Sequence, residues 1–187
     1  VSIYLPRSID LISAFFAILK LQAISCILFG TLGEEGLIDR LSNSQAKVII
    51  TKKSLVRKIL AIKGQVPALQ TILVIDIDAH QSSEVLSMKA LLATAETEFE
   101  YPHKIYSETP AFLQYTSGST GKPKGALHVH GALADMKQSW QEIFQLASED
   151  VYWCTADPAW ITGLVYGIIA PFAAGICQLQ FSGTYHA

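Results

Sequence analysis

The chain has 187 residues, of which 50% are hydrophobic and 16% are charged, and its formal net charge at pH 7 is −2. This composition supports a large hydrophobic core and argues against an intrinsically disordered chain. The small net charge gives no general attraction to nucleic acid or to an anionic membrane, so a polyanionic ligand needs a local group of donors.

The cysteines indicate the redox compartment. Cys26, Cys154 and Cys177 are far apart and form no CxxC pair. This pattern argues against a disulfide framework or a zinc site, and it favours a reducing compartment such as the cytoplasm. The chain starts at Val1 within an expected strand, and we expect it to be an internal fragment of a longer protein.

The first half of the chain alternates between short apolar runs and segments with helical periodicity. Strands are predicted at residues 1–5, 24–29, 47–51 and 71–75, and helices at residues 9–21, 34–42, 55–62 and 81–94. Ser8 and Ser54 stand where N-capping residues are expected. This alternation predicts βαβ units, and therefore an α/β fold with mainly parallel sheets flanked by helices.

A polar stretch at residues 96–107 separates the two halves and contains Pro102. It predicts a boundary between a first α/β subdomain (residues 1–105) and the start of a second (residues 106–187). In the second part, helices are predicted at residues 131–146 and 161–172, and strands at residues 151–154 and from Ile176 onward.

The stretch of residues 160–179 is long enough and apolar enough to be considered as a membrane span. Gly163, Gly167, Pro171 and Gly175 interrupt this stretch. A buried helix followed by a buried strand is therefore favoured, and no membrane span is expected.

Residues 111–116 are predicted to form a strand that opens into a loop rich in hydroxyl groups, glycine and lysine. The loop consists of Thr116, Ser117, Gly118, Ser119, Thr120, Gly121, Lys122, Pro123, Lys124 and Gly125. Glycines let backbone N–H groups approach an anion closely, while hydroxyl and ammonium groups add donors. The loop is therefore suited to a polyphosphate.

This loop is not a Walker A motif, because only two residues separate Gly118 from Gly121 and Pro123 follows Lys122. The alternative is a flexible linker of the same composition. The strand before the loop and the amphipathic run after it argue against a linker.

The run YTSGSTGKPKG at residues 115–125 resembles the signature loop of the acyl-adenylate-forming, or AMP-binding, enzymes. Two following stretches are similar to acetyl-CoA synthetases: LHVHG at residues 127–131 and DVYWCTADPAWITG at residues 150–163. Acetyl-CoA synthetases usually have glycine at the position of Ala159. The resemblance implies part of the large N-terminal domain of such an enzyme. It also implies activation of acetate by ATP as acetyl-AMP, release of pyrophosphate and transfer of the acetyl group to CoA.

The resemblance also implies residue roles. Lys124 matches the fixed lysine of the family's loop and Thr120 lies near Mg²⁺, so both are candidate catalytic residues, whereas Lys122 occupies a variable position. Four residues match the segment that lines the acyl pocket: Trp160, Ile161, Thr162 and Gly163. The family's adenine and ribose elements and its C-terminal lysine have no match here, which implies that this chain alone is inactive.

Three alternatives to an acetate ligase stay open. The parent protein could be another short- or medium-chain acyl-CoA ligase, an adenylation domain that loads a carrier protein, or an inactive remnant. For the ligase the expected partners are small molecules, namely acetate or another short-chain acid, ATP and CoA, and no nucleic acid is expected to bind.

Two further features have simpler explanations than a metal site or a catalytic group. His128 and His130 alternate and would share one face of an extended segment, but no third ligand is suitably spaced for a metal ion. Packing, or a hydrogen bond on the phosphate side, is therefore favoured over metal ligation. Asp157 precedes Pro158 and is interpreted first as a turn former, with an orienting carboxylate as the alternative.

Overall fold

The computed structural model describes residues 1–98, 100, 104–116 and 121–183. Its main element is a five-stranded sheet in the order β2-β1-β3-β4-β5, in which each neighbouring pair is parallel. The strands are β1 (Ser2–Tyr4), β2 (Cys26–Leu28), β3 (Val48–Thr51), β4 (Thr71–Val74) and β5 (Val85–Ser87). The predicted α/β fold with a parallel sheet flanked by helices is confirmed.

Four helices follow strands of this sheet: α1 (Ile9–Lys20), α2 (Glu34–Ser44), α3 (Lys53–Ile62) and α4 (Met88–Thr94). The predicted cap of α1 is confirmed, because the Ser8 hydroxyl accepts a hydrogen bond from the backbone N–H of Leu11 at 3.2 Å. The predicted cap of α3 is wrong. This helix begins at Lys53, whose backbone N–H donates to the Asp76 carboxylate, so a residue that follows β4 replaces Ser54 as the acceptor.

The prediction of one helix over residues 81–94 is wrong in its first half, because residues 85–87 form the fifth strand. Val85 and Ser87 are buried against β4. Ser87 then caps α4, since its hydroxyl accepts from the backbone N–H of Ala90 at 3.0 Å. Pairing with an existing sheet edge therefore outweighs the local preference of these residues.

The second part of the chain begins with an antiparallel hairpin of β6 (Pro110–Thr116) and β7 (Lys124–Val129). It continues with α5 (Ala132–Phe144), β8 (Val151–Tyr152), α6 (Ile161–Leu164), α7 (Ala170–Ala174) and β9 (Cys177–Gln178). A π-helical stretch, Val165–Ile169, joins α6 to α7 within the predicted helix. Among the residues that the structure describes, no helix is long and apolar enough to cross a membrane.

Both faces of the sheet are packed, and β6 contributes to each. Tyr115 belongs to the hydrophobic cluster under α2 and α3, whereas Phe112 belongs to the cluster under α1. The Phe15 and Phe112 rings meet edge to face with centroids 6.1 Å apart. The hairpin is therefore anchored in the hydrophobic core of the sheet, while the predicted boundary near residue 105 stays a prediction.

Candidate functional site

The β6–β7 hairpin fixes both ends of the predicted phosphate loop. Thr116 and Lys124 are register partners at the end of the hairpin where the loop joins the two strands. Gly121 has φ +90°, a backbone conformation that favours glycine. Ser117, Gly118, Ser119 and Thr120 lie outside the described residues. The predicted phosphate contacts of these four residues, and the role of Thr120 near Mg²⁺, therefore stay predictions.

The two loop lysines differ in their backbone setting. Both are exposed, and neither has an ion pair within the described part of the chain. Lys124 is the first residue of β7, where pairing with β6 fixes its backbone, whereas Lys122 precedes the strand. Two uncompensated ammonium groups beside a glycine-rich turn fit a polyphosphate ligand, with Lys124 the better fixed of the two.

Tyr115 ties the strand that enters the loop to the end of α2. Its hydroxyl donates to the Asn43 side-chain oxygen at 2.6 Å and lies 3.2 Å from the Arg40 carbonyl oxygen. The Arg40 guanidinium lies 5.6 Å from the centroid of the Tyr115 ring. Burial raises the pKa of Tyr115 to about 12, so its hydroxyl keeps its proton and stays a donor. The sequence pointed to Tyr115 only as part of the loop pattern.

A tight turn precedes the residues predicted to line the acyl pocket. The backbone N–H of Ala159 donates to the Asp157 side chain at 2.8 Å, and that of Trp160 donates to the Asp157 carbonyl at 2.9 Å. The interpretation of Asp157 as a turn former is therefore confirmed. The turn leads directly into α6, and the residues at the start of this helix are those predicted to contact the acyl group.

The four predicted acyl-pocket residues lie together at the start of α6. Trp160 is 52% exposed and Ile161 is 38% exposed, Thr162 is exposed, and Gly163 is buried. The Trp160 ring meets Phe29 edge to face at 5.2 Å. Contact of these side chains with an acyl group stays a prediction.

Gly163 is required by a close approach of two backbone segments. A Cβ added there would lie 2.6 Å from the carbonyl oxygen of Ala156 and still closer to the backbone of Asp157. No side-chain rotation can relieve a contact with backbone atoms. The turn and the helix that follows it are therefore packed as one unit.

Gln114 links this segment to the hairpin. It is 2% exposed, and its amide nitrogen donates to the Ala159 carbonyl oxygen. Its amide oxygen is buried and has no partner among the described residues. One buried side chain on β6 therefore connects the strand that leads to the phosphate loop with the turn that leads to Trp160. No pattern in the sequence indicates this contact.

A cavity of about 520 Å³ lies at the carboxyl edge of the five-stranded sheet. Its lining includes Arg7, Gly30 and Lys52, which follow strands of this sheet, together with Thr155 and Asp157. In this sheet β2 lies on one side of β1 and β3 lies on the other, so the strand order reverses at β1. Ligands in open α/β sheets bind at such points of reversal. The volume of the cavity is within the range of small-molecule sites, about 300–1,000 Å³.

The two histidines lie on the hairpin side of this arrangement. His128 stacks on Phe112 with centroids 4.5 Å apart and an interplanar angle of 13°. The buried Nε2 of His130 has no partner in the described residues. Within that same part of the chain, no three His, Cys, Asp or Glu side chains are grouped to hold a metal ion.

Burial lowers the pKa of both His128 and His130 below 6.5. Because these imidazoles bind protons less readily when folded, the unfolded chain takes up more protons as the pH falls below about 7. We expect stability to decrease between about pH 7 and pH 5, and to decrease less in the double variant His128→Gln, His130→Gln. Thermal denaturation at several pH values checks this, and an unchanged pH dependence in the double variant would contradict it.

A family model described as AMP-binding enzyme matches residues 1–185. The acetyl-coenzyme A synthetase of Bacillus subtilis is 37% identical over 187 residues, covering 99% of this chain and 32% of the relative. That of Psychrobacter cryohalolentis is 32% identical, covering 98% of this chain and 30% of the relative. The chain thus spans about a third of the length of the curated relatives that it matches.

Two solved structures have the same fold. A Brucella canis acyl-CoA synthetase superposes with a TM-score of 0.87 at 24% identity, over 98% of this chain and 33% of that one. The anthranilate CoA ligase AuaEII, in complex with anthranoyl-AMP, superposes with a TM-score of 0.86 at 26% identity, over 98% of this chain and 34% of that one.

Proposed function

Because this chain belongs to the AMP-binding enzyme family, we propose that the protein containing it is an adenylate-forming acetate–CoA ligase. The acetate carboxylate attacks the α-phosphorus of ATP, and acetyl-AMP forms as pyrophosphate leaves. The CoA thiol then attacks the acetyl carbonyl, and AMP leaves as acetyl-CoA forms. The similarity to acetyl-coenzyme A synthetases supports acetate as the acid.

The observation that carries the proposal is the link through Gln114 between the hairpin and the turn before α6. Adenylation requires two anions to meet, so positioning and neutralisation of charge supply most of the rate acceleration. The hairpin and its loop offer two exposed lysines for the phosphates, and the start of α6 offers an apolar surface for the acyl group. A single buried hydrogen bond keeps the two in a fixed relation.

The proposed roles follow from this arrangement. Lys124 contacts the ATP phosphates, and residues 116–121 and Gly125 surround them. Thr120 would help to hold Mg²⁺, which would supply positive charge to the phosphates. Trp160, Ile161, Thr162 and Gly163 form the acyl wall. The substrates are small molecules, and we propose a cytoplasmic location because the pattern of cysteines favours a reducing compartment.

The proposal is tested on the full-length protein with acetate, ATP, Mg²⁺ and CoA. Chromatography of the products is expected to show acetyl-CoA, AMP and pyrophosphate in equal amounts. Formation of ADP and phosphate instead would show a different reaction and contradict the proposal.

We expect the 187-residue chain alone to form no AMP from acetate and ATP. It spans about a third of its relatives' length and has no match to the family's adenine, ribose and C-terminal lysine elements. The same product analysis, run on the isolated chain and on the full-length protein at equal concentration, checks this. Robust AMP formation by the isolated chain would contradict the expectation.

The acyl wall predicts a preference for short acids. A bulky Trp160 and a β-branched Ile161 leave little room, and close-packed walls yield little to a longer chain. Each methylene that fits is worth only about 1–3 kcal/mol, so propionate is expected to be a fair substrate and hexanoate a poor one.

We therefore expect Ile161→Ala to shift the preference towards longer acids. The measurement is kcat/KM for acetate, propionate, butyrate and hexanoate with the full-length protein and this variant. Thr94→Ala, on the exposed end of α4, is a control that should leave the preference unchanged. If hexanoate is already preferred over acetate by the unmutated protein, the parent protein is a medium-chain ligase.

A further inference from the structure

Arg7 binds the backbone of a segment that is about 150 residues away in sequence. The residue lies just beyond β1, at the carboxyl edge of the sheet. Its Nη1 donates to the Cys154 carbonyl oxygen at 2.7 Å, and its Nη2 donates to those of Thr155 at 3.0 Å and Ala156. One guanidinium therefore holds three consecutive carbonyl groups.

This contact requires an unusual backbone in the segment. In an extended strand successive carbonyl groups point in alternate directions, so three in a row cannot converge on one group. Residues 153–155 belong to no helix or strand, and residue 156 lies at a bend. The planar fork of arginine presents several donors in fixed directions, which a lysine ammonium does not.

Both terminal nitrogens of Arg7 take part in this contact. Nη2 donates to two carbonyl oxygens, and Nη1 donates to a third. Within the described residues Arg7 forms no ion pair with a carboxylate. The geometry thus favours a role in holding the segment over direct binding of a ligand, even though Arg7 lines the cavity.

The segment leads directly to the proposed acyl wall and is held at both ends. Arg7 binds residues 154–156, and Gln114 binds the Ala159 carbonyl. Between them, Gly163 packs against the backbone at Asp157. Loss of the Arg7 contacts would free the end of the segment that faces the cavity, while the Gln114 contact would keep the other end near the hairpin.

We propose that Arg7 is a positioning residue for the acid substrate: by binding three carbonyl groups, it fixes the segment that places Trp160 to Gly163. This inference rests on the proposed function above. It predicts a selective effect, because the segment adjoins the acyl wall, whereas the hairpin has anchors of its own outside the segment at Tyr115 and Phe112.

The kinetic test uses acid-dependent ATP–pyrophosphate exchange by the full-length protein. Arg7→Met keeps much of the side-chain length and removes the donors, Arg7→Lys keeps the charge, and Arg57→Met on the exposed face of α3 is the matched control. For Arg7→Met we expect the KM for acetate to rise about tenfold or more and the KM for ATP to change less than about twofold. Arg7→Lys is expected to recover part of the loss, and Arg57→Met to behave like the unmutated protein.

A second measurement reports on the segment itself. Cys154 lies within it and is half-buried, whereas Cys177 is exposed. Alkylation by iodoacetamide, followed peptide by peptide with mass spectrometry, is expected to be about fivefold or more faster at Cys154 in Arg7→Met, because the segment opens more often. The rate at Cys177 is expected to stay unchanged.

The outcomes separate the inference from the proposed function. Equal increases in both KM values, or an unchanged alkylation rate at Cys154, would overturn the role of Arg7. If the unmutated protein catalyses no exchange with any acid, the proposed function fails. In that case the alkylation rate at Cys154 tests by itself whether Arg7 fixes the segment.

Discussion

Replacing Gly163 with alanine is expected to damage both stability and activity. The added Cβ would lie 2.6 Å from the Ala156 carbonyl oxygen and closer still to the backbone of Asp157, so the turn or α6 has to move. Overpacking usually costs about 1–3 kcal/mol, and a clash with backbone is at or above the top of that range. Because the shift occurs at the acyl wall, kcat/KM for acetate is expected to fall about a hundredfold.

The matched control is Gly64→Ala. A Cβ at Gly64 meets nothing within 4 Å, so this variant should match the unmutated protein in denaturation temperature and activity. Thermal denaturation and steady-state kinetics of the full-length protein test both variants. A Gly163→Ala protein with normal stability and normal kcat/KM for acetate would show that the two backbone segments do not pack as described.

Lys124→Ala is expected to weaken productive ATP binding much more than Lys122→Ala. The backbone of Lys124 is fixed by pairing with Thr116, whereas Lys122 precedes the strand. A charge-assisted contact is worth about 1.5–3 kcal/mol, so losing the one from Lys124 should lower kcat/KM for ATP about 10- to 150-fold. Lys122→Ala serves as the control with the same change of charge, and equal effects of the two substitutions would contradict the assignment.

The sequence predicted the parallel sheet well because its signals are local. Apolar runs separated by helical periodicity indicate βαβ units, and a hydroxyl such as that of Ser8 caps the helix that begins beside it. Ser54 shows the limit of this reasoning. The carboxylate of Asp76, which follows β4, caps α3 instead of the Ser54 hydroxyl. The identity of the capping group therefore depends on a residue that is distant in sequence.

Long-range pairing explains the other differences. Residues 85–87 become a strand because the edge of β4 is available to them. The contacts of Arg7 and Gln114 leave no pattern in the sequence, because a side chain that binds backbone carbonyl groups places no demand on the identity of the residues it binds. Gly163 was assigned to the acyl wall by resemblance, but the structure gives its physical reason, a close approach of two backbone segments.

The most direct test of the account is acetate-dependent exchange of labelled pyrophosphate into ATP by the full-length protein without CoA. Reversible formation of acetyl-AMP predicts exchange that needs both acetate and Mg²⁺ and that falls sharply in Lys124→Ala. If the full-length protein forms acetyl-CoA but catalyses no exchange, the acetyl group is not activated as an adenylate, and the central claim is wrong.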